Sequence, residues 1–149
     1  MTTLAYNRKA GFDYEILETY EAGLVLRGFE VKAVKTGHMN LAGSFVVAKG
    51  SQMFLINAFI PPYQPKNTPS DYDPYRSRTL LLNRAEIASL TGKTKQKGLT
   101  LAPLKVYTKR GKIKLEFAVA RGKRKFDKRE KIKSREEKRK IERAMKENY

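Results

Sequence analysis

Residues 112 to 119 alternate strictly. Ile113, Leu115, Phe117 and Val119 fall on one side, and Lys112, Lys114, Glu116 and Ala118 on the other. A period of two lets a strand bury one face and wet the other, and it cannot make a helical stripe. Arg110-Gly111 supplies turn chemistry between this strand and the preceding LTLAPLKVY, so the pair reads as a hairpin. A second hairpin is expected at Lys49-Gly50-Ser51, joining SFVVA to QMFLINAFI. Tyr14, Ile16, Tyr20, Ala22, Leu24 and Leu26 also share a parity, with Glu18 the exception.

Helix signals are fewer. In NRAEIASLTGK, Asn83 is placed as N-cap, Glu86 as its reciprocal partner three residues on, and Gly92 as the stop. A shorter helix is predicted over EVKAVK, where Val31 and Val34 lie three apart. The stretch PPYQPKNTPSDYDPYRSR holds five of the six prolines and is expected to be an irregular loop, since proline removes backbone donors. Short strands, hairpins and one mid-chain helix predict an OB-like antiparallel barrel of about six strands with two or three helices.

The charge is uneven. The chain of 149 residues carries +17, and from Arg121 onward there are 14 basic and 6 acidic residues in only 29 positions. An excess of this sign points to a polyanion, most often nucleic acid. The last stretch, FDKREKIKSREEKRKIERAMKENY, has helix-forming residues and pairs such as Glu136 with Lys140, yet almost nothing to pack on a core. A helix polar nearly all round gains little from burial. Residues 1–120 are therefore expected to form the barrel and residues 121–149 a tail that is disordered when free and helical on a partner. Coiled from 129 to 147, it would reach about 28 Å. A solvated tail that aids solubility is the plainer alternative.

Catalytic chemistry is poorly supplied. There is no cysteine and one histidine, His38, which reads as a surface residue. Asp71 and Asp73 read as turn chemistry rather than a metal pair. No phosphate-binding glycine motif or metal-ligand cluster occurs. The chain is read as a binding protein, not an enzyme, with no cofactor and no metal. Its apolar runs are too short to span a bilayer, and no signal-peptide core opens it, so a cytoplasmic protein without membrane contact is expected. Tyr6, Tyr63, Tyr75 and Phe126 sit among basic or loop residues, where rings can stack on unpaired bases. For the tyrosines partial core packing is the competing reading; the neighbours of Phe126 offer no core.

Five blocks carry a resemblance: NRKA (7–10), YEILETYEAGLVLRGFEVKAVKTG (14–37), DPYRSRTLLLNRAEI (73–87), KGLTLAPLKVY (97–107) and ARGKRKFDKREKIKSRE (120–136). In order, and across nearly the whole chain, they resemble the small protein B family, the SsrA-binding (transfer-messenger RNA-binding) proteins of bacteria. The resemblance implies an OB-like barrel on the tRNA-like domain of transfer-messenger RNA. It also implies a tail that enters the decoding site and empty message channel of a stalled small ribosomal subunit. Elongation factor Tu and alanyl-tRNA synthetase are implied as indirect partners through the RNA, and the protein is expected to be a monomer.

By position the resemblance implies RNA contacts from Asn7 and Glu21, with a cap and a surface charge as their plainer roles. Arg8, Lys9, Lys32, Leu81 and Asn83 are expected at the RNA too, although Leu81 could be core and Asn83 a helix cap. Lys123, Arg124 and Lys125 are expected to touch phosphate at the root of the tail. Phe126, Asp127, Lys128, Arg129, Lys131, Lys133, Arg135, Arg139, Arg143 and Met145 are the expected ribosome contacts. Three positions depart from the family pattern: Phe126 replaces His or Tyr, Ala33 replaces Ser, and Lys35 replaces Arg. Lysine keeps the charge of arginine but gives up the bidentate fork.

The competing readings are a ribosomal or general RNA-binding OB-fold protein and a nonspecific RNA chaperone. Truncation after Gly122 should leave a folded barrel that still binds transfer-messenger RNA but no longer supports tagging of stalled nascent chains. Thermal melting of the truncated chain checks this, and an unfolded product would make the tail structural.

Overall fold

Lys109 and Lys112 face each other across Arg110 and Gly111, whose φ angles of 54° and 76° are both left-handed. Two positive φ values in a two-residue loop match the twist of the strands they join, so the hairpin predicted from Arg110-Gly111 forms. The computed structural model describes residues 1–64, 66 and 68–122. Their elements run β1 (Thr2–Tyr6), α1 (Ala10–Asp13), β2 (Tyr14–Leu24), α2 (Gly28–Lys35), β3 (Phe45–Lys49), β4 (Gln52–Ile56), β5 (Arg78–Leu81), α3 (Arg84–Thr94), β6 (Leu99–Lys109) and β7 (Lys112–Gly122).

The strands are antiparallel in the order β1-β6-β3-β4-β5-β2-β7, and β6 also pairs with β7. Six strands thus close a ring, and β1 adds to the outer half of β6. The OB-like barrel with three helices matches the expectation. Its interior is filled by Met53, Leu55, Leu101, Val106, Leu115 and Phe117, all nearly or fully buried. Leu90 of α3 and Ala33 and Val34 of α2 join that core. Ala10, Ala102, Ala118 and Ala120 are buried outside it, the first on α1, which packs on β2 and β6, and the others on β6 and β7.

Three local expectations need correction. The parity of β2 breaks at a bulge between Ile16 and Glu18, which leaves Ile16 and Leu17 exposed instead of placing Ile16 in the core. One extra residue in a strand moves the following side chains to the other face. Gly92 does not stop α3, which continues to Thr94; Lys93 is anchored by Glu18 and by the Tyr20 hydroxyl at 2.8 Å. β4 ends at Ile56 because Asn57 adopts φ 62°. The proline-rich segment carries no strand among its described residues before Arg78, where β5 begins, and the Asp73 carboxylate accepts from the Tyr75 backbone N–H at 2.9 Å as a turn residue should.

One polar cluster binds α2, this loop and β5 together. Glu30 is fully buried, and so is Arg78. The Glu30 carboxylate accepts from the Arg27 backbone N–H at 2.9 Å, from Arg78 Nη2 at 2.7 Å and Nε at 3.0 Å, and from Arg76. Arg78 also donates to the carbonyls of Ala58 (2.6 Å) and Pro74 (3.0 Å), and the Tyr72 hydroxyl lies 2.9 Å from Glu30. Burial raises the Glu30 pKa, but the bonds from Arg76, the Arg27 backbone and Arg78 win and hold it at about 2. Burial, reinforced by Glu30, pushes Tyr72 up to about 12.

A buried ion pair that loses one partner leaves an uncompensated charge. Glu30→Gln should therefore cost about 3–5 kcal/mol in denaturant unfolding. In the unaltered protein the stability supplied by this carboxylate is complete above its ordinary value of 4.5 and is lost as pH falls through about 2. Acid unfolding that is indifferent to Glu30→Gln would refute the assignment.

Candidate nucleic-acid interface

Cross-strand register lines up a row of side chains on the outside of the barrel. Glu21 of β2 lies opposite Glu116 of β7, Glu116 opposite Lys105 of β6, and Lys105 opposite Tyr6 of β1. The next row on the same face runs Leu81, Gly23, Lys114, Tyr107 and Thr3. Beyond it lie Lys109 and Lys112. Alternation sets these residues opposite the core residues Ala22, Leu115 and Val106. At the usual strand spacing the first row spans about 14 Å. Four lysines thus share the face with two glutamates.

The acids are not idle. Glu116 lies 3.7 Å from Lys105, and Glu21 3.4 Å from Lys109. The Tyr107 hydroxyl donates to the Glu21 carboxylate. That bond, more than the nearby lysine charges, holds the Glu21 carboxyl below its ordinary range. Burial and the Glu21 charge push the Tyr107 phenol up.

Of the residues predicted at the RNA, Glu21 and Leu81 fall on this face. Leu81 is 62% exposed, which excludes a core role. It lies over Gly23, where an added Cβ would sit 3.3 Å from the Leu81 Cβ. With Lys35, Lys112 and Lys114, these two residues line a cleft of about 320 Å³. The departure at Lys35 therefore borders the face, whereas the one at Ala33 is buried in the core.

Asn7 stands at the edge of the face. Its backbone N–H donates to the Leu104 carbonyl at 2.8 Å and its side-chain amide to the Pro103 carbonyl at 2.9 Å. It thereby closes the β6 bulge that Pro103, lacking an N–H, introduces. Arg8 and Lys9 follow, exposed, in the turn into α1. Asn83 caps α3 as its spacing predicts, its side-chain oxygen accepting from Glu86 N–H at 2.8 Å. Lys32 borders a different cleft, with Arg27, Phe29 and Tyr63. Tyr6, at 65% exposure, is the ring most open to stacking among the described residues; Tyr63 and Tyr75 are also exposed, and Tyr75 packs on Phe59 at 5.2 Å.

The predicted contacts Lys123, Arg124, Lys125 and Phe126, with the rest of the tail, lie outside the described residues. Sequence reasoning assigned no role to Lys105, Tyr107, Lys109 or Lys114. The signal was the turn itself, because counting outward from Arg110-Gly111 sets Tyr107 against Lys114. No group of residues suited to a metal occurs among the described residues, and none of the described helices is long and apolar enough to cross a membrane.

A closed antiparallel barrel with a lysine-rich, ring-bearing outer face belongs to the class of small barrels built to meet a polyanion. The model of one such family, the SmpB proteins, matches residues 4–147, and the chain belongs to that family. It is 50% identical to the SsrA-binding protein of Thermosynechococcus vestitus over 96% of this chain and 94% of that protein. It is 51% identical to the SsrA-binding protein of Geobacillus kaustophilus over 97% and 92%. A solved chain from work on tmRNA–SmpB in the bacterial ribosome aligns with a TM-score of 0.67 at 46% identity, covering 85% of this chain and 92% of that one.

Leu81→Ala should lower unfolding stability by less than about 1 kcal/mol, because little apolar surface there leaves water on folding. The same substitution should weaken RNA binding measurably. A large drop in melting temperature would return Leu81 to the core.

Proposed function

We propose that this protein binds transfer-messenger RNA through the outer face of β2, β7, β6 and β1, and brings it to stalled ribosomes for trans-translation. The observation that carries this is the pair of rows that bring Glu21, Leu81, Lys105, Lys114 and Tyr6 onto one face. Lysines neutralise phosphate, a carboxylate accepts from base amino groups or 2′-hydroxyls, and Tyr6 offers a ring to an unpaired base. The names of the relatives support the same partner.

The barrel, expected over residues 1–120 and carried by β7 to Gly122, acts on the RNA, and the rest of the chain to 149 is the ribosome-directed tail, with Lys123, Arg124 and Lys125 on phosphate where they join. Phe126 stacks on a decoding-site base, and the basic residues from Lys128 to Arg143 line the empty message channel. Elongation factor Tu and alanyl-tRNA synthetase meet the protein only through the RNA. It works in the cytoplasm as a monomer, and its role is binding rather than catalysis.

Sequencing the RNA that copurifies from cells tests the partner. Transfer-messenger RNA should dominate; bulk ribosomal RNA would indicate a ribosomal protein instead, and a broad mixture a nonspecific chaperone. Affinity for the tRNA-like domain should fall with salt as counterions are displaced. Glu21→Ala should weaken binding with little change in salt slope, while neutralising Lys123, Arg124 and Lys125 together should flatten it. Undiminished affinity in Glu21→Ala would remove that residue from the interface.

A further inference from the structure

Tyr107 is placed on the outer face by its register, yet it is only 3% exposed. The reason is its course over the sheet. Tyr107 belongs to β6 and Glu21 to β2, with β7 between them. A carboxylate two strands away is nearly 10 Å off at the usual spacing of about 4.8 Å, so the phenol must lie along the sheet to reach it. Lys105 closes over the ring, its Nζ 5.4 Å from the ring centre. The hydroxyl ends on Glu21, whose carboxylate also has Lys109 Nζ at 3.4 and 3.5 Å.

This arrangement solves a problem that any acid on a basic face creates. Glu21 already pairs with Lys109; unless held there, its side chain would turn to Lys114 as well, and both the acceptor and a second cation would be lost to an incoming RNA. A phenol can fix a carboxylate without spending a positive charge. Lys105 is kept over the ring, and Lys114, opposite Tyr107 on the neighbouring strand, is left to meet phosphate.

We propose that Tyr107 is a positioning residue for RNA recognition: by holding Glu21 across β7 on the Lys109 side, it keeps that carboxylate as an acceptor for the RNA and keeps Lys114 for phosphate. The inference rests on the RNA-binding reading above and names the device that makes the face selective.

Tyr107→Phe keeps the ring, the packing under Lys105 and the burial, and removes only the hydroxyl. With the full chain and the tRNA-like domain of transfer-messenger RNA, affinity in this variant should fall about tenfold, in keeping with the loss of a hydrogen bond to a charged group. The slope of log affinity against log salt should also shrink by about one, because the released Glu21 turns from Lys109 to neutralise Lys114 as well. Adding Glu21→Gln should restore the slope without restoring the affinity, since no charge is then left to collapse. A merely structural tyrosine would not move the slope. Wild-type affinity and slope in Tyr107→Phe would overturn the proposal, and so would losses that add fully to those of Glu21→Gln. Failure of the unaltered protein to bind the tRNA-like domain would instead overturn the RNA-binding reading itself.

Discussion

A single carboxylate holds three separate parts of this molecule in register. Glu30 starts α2 by accepting from the Arg27 backbone, receives Arg78 from the start of β5, and receives Arg76 and Tyr72 from the loop before it. The loop has few ways to hold itself, because proline removes backbone donors and no strand ladder runs through its described residues. Its carbonyl at Ala58 is instead satisfied by Arg78, which also joins the Ile60 N–H on the carbonyl of Pro74. No buried side-chain nitrogen or oxygen among the described residues lacks a partner, so the cluster is complete. Completeness decides its sign, since a half-satisfied buried network costs more than an apolar core would.

The functional face depends on this indirectly. β5 enters the barrel at Arg78 and ends at Leu81, so the residue that fixes the strand's inner end also sets where Leu81 emerges. Leu81 then lies over Gly23, where the lack of a side chain lets it approach β2. The face is therefore a property of register. Its charges come from strands whose opposite sides are pinned by Phe117, Leu115 and Val106.

Much of this was legible in the chain. Strict alternation from Ile113 to Val119 and the turn at Arg110-Gly111 specify a hairpin, and Asn83 with Glu86 specifies a helix start. Both depend on local chemistry that tertiary packing had no cause to override. The failures share a cause too. The bulge after Ile16 and the run of α3 past Gly92 are settled by distant partners, β7 in one case and Glu18 with Tyr20 in the other. Glu30 read only as a helix residue, since nothing in EVKAVK announces that two arginines more than forty positions later converge on it. In the site, the family pattern brought out Glu21 and Leu81. Tyr107 carried no such mark, because its part depends on crossing a strand, and a contact between residues 86 positions apart has no local signature.

The ring is sewn unevenly. β6 runs its whole length against β7, but on its other side it meets β3 through one residue pair, Val46 with Leu101. Helix α3 lies against both strands at that seam, with Leu90 buried in the core. Closure there is maintained by a plug rather than by a ladder. Apolar contact has no preferred direction, unlike a row of hydrogen bonds, so this seam is held by burial and not by register. The β2–β7–β6 wall keeps its full lacing on the far side. The barrel thus has a laced wall that carries the lysines and a packed seam beside α3, two kinds of closure in one ring.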